Sequence, residues 1–133
     1  MSEEHATKRR ASARGGRLSR SAEFERVYRH GRSSANRHLV LHVFENPSAD
    51  GPRLGLSVSR RVGGAVARNH VKRLVREAFT ALAPGLRDGY DVVVVARPAA
   101  AELADREGLE GVQAALAELA ERAGLALSAE EPA

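Results

Sequence analysis

The chain has 133 residues, of which 43% are apolar and none is cysteine. This length suits one small domain with tails, and the missing cysteines exclude a disulfide framework, a thiolate zinc site and a cysteine nucleophile. No apolar run approaches the roughly 20 residues of a transmembrane helix, and the N-terminus lacks the apolar core of a signal peptide, so we expect a cytoplasmic protein with no membrane partner.

The net charge of +4 conceals a strong separation of charge along the chain. Residues 1–76 contain 17 Lys and Arg against 6 Asp and Glu, whereas residues 77–133 contain 4 against 11. Within the basic half, residues 51–76 include no acid at all. This separation is typical of a protein that binds a polyanion, and it favours nucleic acid over an anionic membrane. Arginine used only for solubility would explain the number of arginines but not their distance from acids.

The first predicted element is a helix that follows a polar, basic arm. Residues 1–17 lack periodicity, which predicts a disordered arm. The next segment predicts a short helix with Ser19 or Ser21 as its N-cap and Gly31 at its end. Its apolar positions follow i, i+3, i+4 spacing at Phe24, Val27 and Tyr28.

Two predicted strands come next. Residues 38–45 alternate, with Leu39, Leu41 and Val43 on one face and Val40, His42 and Phe44 on the other. Residues 53–59 alternate too, but Gly55, Ser57 and Ser59 leave one face of that strand nearly bare, so another group can approach its backbone closely.

The second half of the chain predicts a helix, a strand and a helix. A long helix follows Gly63-Gly64 and ends at Pro84-Gly85, and "YDVVVVA" at 90–96 is typical of a central strand. After Pro98, an amphipathic helix is predicted from four apolar positions: Leu109, Val112, Leu116 and Leu119. The order helix, strand, strand, helix, strand, helix predicts a small α+β sandwich around one antiparallel or mixed sheet. We expect one domain over 18–123 and a disordered acidic tail over 124–133.

The long helix contains the segment "ARNHVKRLVREAF" at 67–79, which has two separate faces. At about 100° per residue, its apolar side chains form one arc and its polar and basic side chains form another. The second arc consists of Arg68, Asn69, Lys72, Arg73 and Arg76. Like charges at i, i+4 each cost about 0.2–0.5 kcal/mol in an isolated helix, and phosphate oxygens would reverse that sign. A solvated face is the ordinary explanation of a charge run, but the acid-free stretch disfavours it.

Among nucleic acids, RNA fits the pattern better than DNA. A helix-turn-helix needs a partner helix shortly upstream, whereas a strand and a Gly-Gly bend precede this helix. Phe24, Tyr28 and His42 could stack unpaired bases, although with five aromatic residues in the chain the core could need such rings.

No catalytic constellation is evident in the sequence. A metal-dependent nuclease needs clustered carboxylates, and an acid–base nuclease needs a positioned pair, often of histidines. His38 and His42 share a strand face but are separated by about 13 Å, too far to share one metal. We therefore expect a protein that binds RNA without catalytic or metal-binding residues of its own.

The segment "GLSVSRRVGGAVARNHVKRLVREAF" at 55–79 resembles the protein subunit of bacterial ribonuclease P. It follows that family's pattern of a strand, a basic pair, a glycine bend and a helix with Arg-Asn-x-x-Lys-Arg-x-x-Arg. "RLSRSAEFERVYRHG" and "SANRHLVLHV" are similar to the family's first helix and first strand, in the same order. The resemblance extends over about 17–97, with weaker agreement through the last helix.

The resemblance implies a subunit of an endoribonuclease that removes the 5′ leader of precursor tRNA. It implies that the catalytic RNA hydrolyses the phosphodiester with Mg²⁺, and that the protein binds this RNA and the leader rather than DNA. It also implies an α+β sandwich with a left-handed β-α-β crossover. The residues it assigns to the catalytic RNA are Arg60, Arg61, Arg68, Asn69, Lys72, Arg73 and Arg76. The residues it assigns to the leader cleft are Arg17, Phe24, Tyr28, Val40 and His42.

Two positions depart from the family pattern. The usual Arg-Asn-Arg triplet is Arg68-Asn69-His70 here, and His70 falls off the basic arc beside Glu77, so no phosphate-binding role is assigned to it. His42 stands where an aromatic residue is common, so stacking there would use imidazole. The alternatives to this family are a structural RNA-binding protein, such as a ribosomal component, and an autonomous nuclease.

Overall fold

The structure, a computed structural model, describes residues 17–18, 21–47 and 51–127. Helix α1 is followed by three strands, helix α2, a fourth strand and helix α3. Their bounds are α1 Ser21–His30, β1 Arg32–Ala35, β2 Leu39–Glu45, β3 Arg53–Val58, α2 Ala65–Leu82, β4 Tyr90–Ala96 and α3 Ala99–Arg122. Short 3₁₀ turns lie at Arg60–Val62, before α2, and at Ala83–Gly85, after it. None of the helices in these ranges is long and apolar enough to cross a lipid bilayer.

The four strands form one mixed sheet in the order β1-β2-β4-β3. β2 pairs antiparallel with both β1 and β4, and Leu41 lies opposite Val94. β3 pairs parallel with β4, with Leu56 opposite Val94. Because α2 connects these two parallel strands, the β-α-β unit that the resemblance implied is confirmed. Of the two sheet types expected, antiparallel or mixed, the sheet is mixed.

Strand β1 is absent from the predicted order of elements. Its sequence, Arg-Ser-Ser-Ala, has no apolar alternation, and its residues are exposed or half-buried at the edge of the sheet. Pairing with β2 holds it in place, with Ser33 opposite His42. Helix α3 adds side-chain contacts, since Arg122 donates to the Ala35 carbonyl at 2.7 Å.

The two faces of the sheet pack against different helices, as strand alternation requires. Leu39, Leu41 and Val43 are buried with Val92 and Val94 in the main core, which α2 and α3 cover. This confirms the predicted alternation along β2. On the opposite face, Val93 is buried with Leu18 and Val27, which places α1 on that side of the sheet.

Helix α2 has the predicted apolar face. Its buried side chains are Val71, Leu74, Val75, Ala78 and Phe79. It begins after Gly64, and the preceding Gly63 has a φ of 152°, a region that favours glycine. The helix therefore begins and ends where the Gly-Gly and Pro-Gly signals predicted.

Helix α3 bends at Gly108, whose φ of 60° and ψ of −148° are not helical. Val112, Leu116 and Leu119 are buried as predicted, whereas Leu109 is 36% exposed. Leu109 directly follows Gly108, so it lies at the start of the helical segment beyond the bend and is less buried than the other three positions.

The chain on either side of the predicted domain boundaries is part of the fold. Arg17 forms a β-bridge with Leu54, and Leu125 is buried in the main core. Leu127 donates its amide hydrogen to the Gly85 carbonyl at 2.8 Å. Residues 124–127 therefore belong to the domain rather than to a disordered tail. The predicted disorder of 1–16 and 128–133, and the Ser19 cap, lie outside the described residues.

Gly31 permits α1 to turn closely into β1. A Cβ at this position would meet the Val43 carbonyl oxygen, and it would lie 2.6 Å from the Val27 carbonyl oxygen. Both groups belong to the backbone, so they cannot rotate away as a side chain would.

We predict that Gly31→Ala lowers the free energy of unfolding by about 1–3 kcal/mol, since the added methyl group overpacks this turn. Urea unfolding of the purified protein measures the effect. Gly85→Ala is the control, because a Cβ at Gly85 would have no neighbouring atom within 4 Å. Equal unfolding midpoints for the two variants would contradict the prediction.

Candidate nucleic-acid interface

The basic arc predicted on α2 is a real surface of the folded chain. We call it the α2 basic face, and it consists of Arg68, Asn69, Lys72, Arg73 and Arg76. Asn69 and Arg73 are exposed, whereas the other three side chains are half-buried along the border with the apolar face. Within the described residues, no acid lies within ion-pair distance of those three half-buried cations. Long basic side chains often lay their methylene stems on apolar surface in this way and keep their charge at its rim.

Arg68 has an unusual polar atom. Its Nε is buried and has no hydrogen-bond partner among the described residues. A buried donor without a partner costs free energy, and folded proteins rarely leave one unless a bound group or a function accounts for it. This position is therefore poorly suited to stability alone and better suited to a ligand that supplies accepting oxygens.

Arg73 differs from the rest of the α2 basic face. Its guanidinium lies 3.4 Å from a Glu77 carboxylate oxygen and 3.2 Å from Nδ1 of His70. The pair with Glu77 is exposed, so it is weak and screened by salt. The face is therefore most strongly cationic at Arg68, Lys72 and Arg76, while Arg73 marks its boundary with an acid.

Arg17 extends the positive surface around the edge of the sheet. Its backbone bridges to Leu54 at the outer edge of β3. Burial, and then the positive charge of Arg17, lower the pKa of Arg76 below its ordinary value. This repulsion between two cations would be relieved by an anion nearby.

Arg60 and Arg61 project from the 3₁₀ turn that precedes α2. Both side chains are exposed, and the Ser59 hydroxyl accepts a hydrogen bond from the Arg61 amide at 3.3 Å. Val66, in the first turn of α2, is 85% exposed. The predicted basic pair therefore lies at the N-terminal end of the helix whose side bears the α2 basic face.

A second surface lies between α1 and the sheet, and we call it the aromatic groove. It is formed by Phe24, Tyr28, Val40, His42 and Phe44. The rings of Tyr28 and His42 meet edge to face, with centroids 4.9 Å apart, and Phe24 lies 6.4 Å from Tyr28. Val40 and His42 are half-buried on the same face of β2. The structure thus brings together the four residues that the resemblance assigned to one cleft with Arg17.

The aromatic rings of the groove differ in their exposure to solvent. A Cβ on Gly55 would meet the Phe24 ring at 2.8 Å, so Phe24 packs directly on the bare part of β3. The close approach predicted at that strand therefore comes from within the chain. Tyr28 is 44% exposed, which makes it the most accessible ring of the pair on α1. Tyr28 is better placed than Phe24 to stack on a base.

Burial lowers the pKa of His42 below its ordinary value, because desolvation disfavours the charged imidazolium. The ring is therefore neutral at neutral pH. A neutral imidazole beside a tyrosine ring adds flat, weakly polar surface to the groove instead of positive charge.

One cluster near the groove was not predicted. Asp91, at the start of β4, is fully buried, and Arg53 of β3 binds both of its carboxylate oxygens at 2.8 and 3.1 Å. Asn46 donates to the same carboxylate at 3.1 Å, and Glu23 of α1 lies 3.3 Å from Arg53. The hydrogen bond from Arg53 to Asp91 raises the pKa of Arg53, and burial opposes that rise.

Arg53 therefore does not belong to the basic surface, although it lies in the acid-free stretch at 51–76. The available sequence signal was Asp91, a single charge in the strand "YDVVVVA". A buried carboxylate requires a partner, but the sequence does not show which of the arginines supplies it.

The described residues contain no group of three or more His, Cys, Asp or Glu side chains that could hold a metal ion. The two surfaces instead offer cations, amide groups and flat rings. Cations and amide groups are suited to phosphate oxygens, and flat rings are suited to unpaired bases.

Comparisons with known proteins show the family of the chain. A family model for ribonuclease P matches residues 13–121. The ribonuclease P protein component of Bacillus pumilus is 41% identical over 97 residues, which cover 73% of this chain and 82% of the relative. That of Shouchella clausii is 50% identical over 91 residues, which cover 68% and 75%.

A solved structure is similar over most of the fold. The RNase P protein of Staphylococcus aureus superposes with a TM-score of 0.73 at 36% identity, and the match covers 82% of this chain and 95% of that one. A ribonuclease P protein component is a subunit of the ribonuclease P holoenzyme, and it has RNA as its partner. With a matched family model and relatives above 40% identity, the chain belongs to the ribonuclease P protein family.

Proposed function

We propose that this chain binds the catalytic RNA of ribonuclease P through the α2 basic face and the adjacent Arg60 and Arg61. We further propose that the aromatic groove holds the single-stranded 5′ leader of precursor tRNA. The protein would thereby assist removal of the leader in the cytoplasm, while the RNA subunit performs the hydrolysis.

The observation that best supports this proposal is the position of Arg17. It lies at the outer edge of β3, and its charge acts on Arg76 of the α2 basic face. The next residue, Leu18, packs with Val27 of α1. One short segment thus borders both surfaces, so an RNA on one surface and a strand in the other could meet there.

Single-stranded RNA suits the groove for a physical reason. Unpaired bases expose flat apolar faces that stack on aromatic rings, and this stacking depends little on base identity. Tyr28 and His42 provide such rings, and the nearby Arg17 can neutralise a phosphate. The α2 basic face has fewer rings and more cations, which suits the phosphate backbone of a folded RNA.

We assign Mg²⁺ to the RNA subunit. This ion prefers oxygen ligands and is commonly held by carboxylates together with phosphates. The described part of this chain has no group of three or more His, Cys, Asp or Glu side chains that could hold a metal ion, and the phosphates of the RNA offer the oxygen ligands instead.

Reconstitution tests the proposed function. We predict that the purified protein stimulates leader removal by its matching catalytic RNA, most visibly at low Mg²⁺, and cleaves nothing alone. The reason is that added cations screen the repulsion between catalytic RNA and substrate, which high Mg²⁺ otherwise does. Cleavage by the protein alone would indicate an autonomous nuclease, and binding without stimulation would indicate a structural RNA-binding protein.

The α2 basic face is tested by the salt dependence of binding to the catalytic RNA. We predict that Lys72→Ala weakens binding and reduces the slope of log K against log salt by about 0.7–0.9 for each phosphate that the variant no longer neutralises. Arg106→Ala is the matched control, because Arg106 lies on α3 and pairs with Glu102 at 3.6 Å. An unchanged slope together with a lower melting temperature would make the face structural.

The groove is tested by the binding of precursor tRNA to the holoenzyme. We predict that Tyr28→Ala weakens binding of a substrate with a leader by roughly 5- to 150-fold, which corresponds to about 1–3 kcal/mol for one base stack. Binding of a leaderless substrate should stay the same. Tyr28→Phe retains the ring and should bind as the parent does, so a loss with Phe equal to that with Ala would contradict stacking.

A further inference from the structure

Asp91 and three neighbouring side chains connect α1, β3 and β4 with the residue that follows β2. Asp91 belongs to β4, Arg53 to β3 and Glu23 to α1, and Asn46 directly follows β2. The carboxylate of Asp91 is fully buried and accepts hydrogen bonds from both Arg53 and Asn46. We call this set the Asp91 cluster.

The cluster reaches α1 through the ion pair of Arg53 with Glu23. Arg53 lies 3.3 Å from Glu23, and the two side chains retain only 18% and 19% of their exposure. This pair is far less exposed than the Glu25–Arg29 pair on the same helix, whose side chains are 66% and 67% exposed at the same 3.3 Å separation. Water and salt weaken exposed pairs, so the half-buried pair of Arg53 and Glu23 is the more effective restraint.

The position of Glu23 on α1 determines which movements of this helix the ion pair restrains. Glu23 precedes Phe24, which packs on Gly55 of β3, and it lies one turn before the buried Val27. Apolar contacts such as these resist separation of α1 from the sheet but allow small rotation and sliding. A bidentate arginine fixed by a buried carboxylate is directional, so it can define the register of α1 along β3.

We propose that the Asp91 cluster is a positioning device that sets the distance between α1 and β2, and hence the spacing of Tyr28 and His42 in the groove. This inference rests on the proposed binding of a leader there. Glu23, Arg53 and Asp91 would act through Tyr28 and His42 and would not touch the leader themselves. The cluster would therefore affect leader recognition without affecting the α2 basic face.

A role in positioning agrees with the energetics of buried ion pairs. Replacing such a pair with apolar groups of similar volume often leaves stability unchanged or increases it, because desolvation offsets the attraction. Stability alone therefore does not account for a buried Asp91 in a strand of valines. A requirement for a fixed geometry between α1 and the sheet does account for it.

The test compares Glu23→Gln with Glu25→Gln in the reconstituted holoenzyme. For each variant, the affinity for precursor tRNA with a leader is divided by the affinity for the leaderless form. Loss of the half-buried ion pair should lower this ratio about two- to five-fold for Glu23→Gln and leave it unchanged for Glu25→Gln. Affinity for the catalytic RNA should be the same in both variants.

Arg53→Lys is a second variant that separates geometry from charge. Lysine retains the positive charge but cannot bind both carboxylate oxygens of Asp91 while facing Glu23. It should therefore lower the ratio as Glu23→Gln does. An unchanged ratio in both folded variants would overturn the proposal, as would a fall in affinity for leaderless and leader-containing substrates alike.

Tyr28→Ala distinguishes failure of this inference from failure of the proposed function. If the parent protein shows no preference for the leader and Tyr28→Ala changes nothing, both proposals are wrong. If Tyr28→Ala lowers the ratio while Glu23→Gln and Arg53→Lys do not, the groove binds the leader and the positioning role is wrong.

Discussion

The fold depends on a central strand that is apolar on both faces. Val92 and Val94 of β4 pack against α2 and α3, while Val93 packs toward α1 on the other side. Because β2 and β3 flank this strand, its backbone is paired on both edges. Burying both faces requires helices on both sides of the sheet. The α2 basic face and the aromatic groove are consequently positioned by one strand.

Asp91 is a buried charged residue in this otherwise apolar strand, so neighbouring elements must supply hydrogen-bond donors to it. A carboxylate with no exposure must be matched by donors, which Arg53 and Asn46 provide. Arg53 lies in the acid-free stretch at 51–76, but its guanidinium binds the buried carboxylate of Asp91. The basic surface of the folded chain therefore contains fewer arginines than the charge pattern of the sequence indicates.

Much of the fold could be predicted from the sequence because the spacing of apolar residues follows the local geometry of helices and strands. Alternation over Leu39–Phe44 and the apolar arc of α2 follow from where side chains point, and both predictions were confirmed. β1 has no such pattern, and pairing with β2 and contacts from α3 hold it in place. Leu109 is more exposed than its apolar pattern indicates, and it directly follows Gly108, whose positive φ interrupts the helix. The partner of Asp91 lies 38 residues away, and no local pattern encodes that contact.

Helix α2 is stable although the like charges on its basic face repel one another. Arg68, Lys72 and Arg76 follow i, i+4 spacing, and each like-charge pair costs about 0.2–0.5 kcal/mol. Burial of one large apolar side chain contributes about 1.5–3 kcal/mol, and Val71, Leu74, Val75 and Phe79 are all buried on the opposite arc. Packing therefore exceeds the repulsion several-fold. The cations can be arranged for an RNA because the helix does not depend on them to fold.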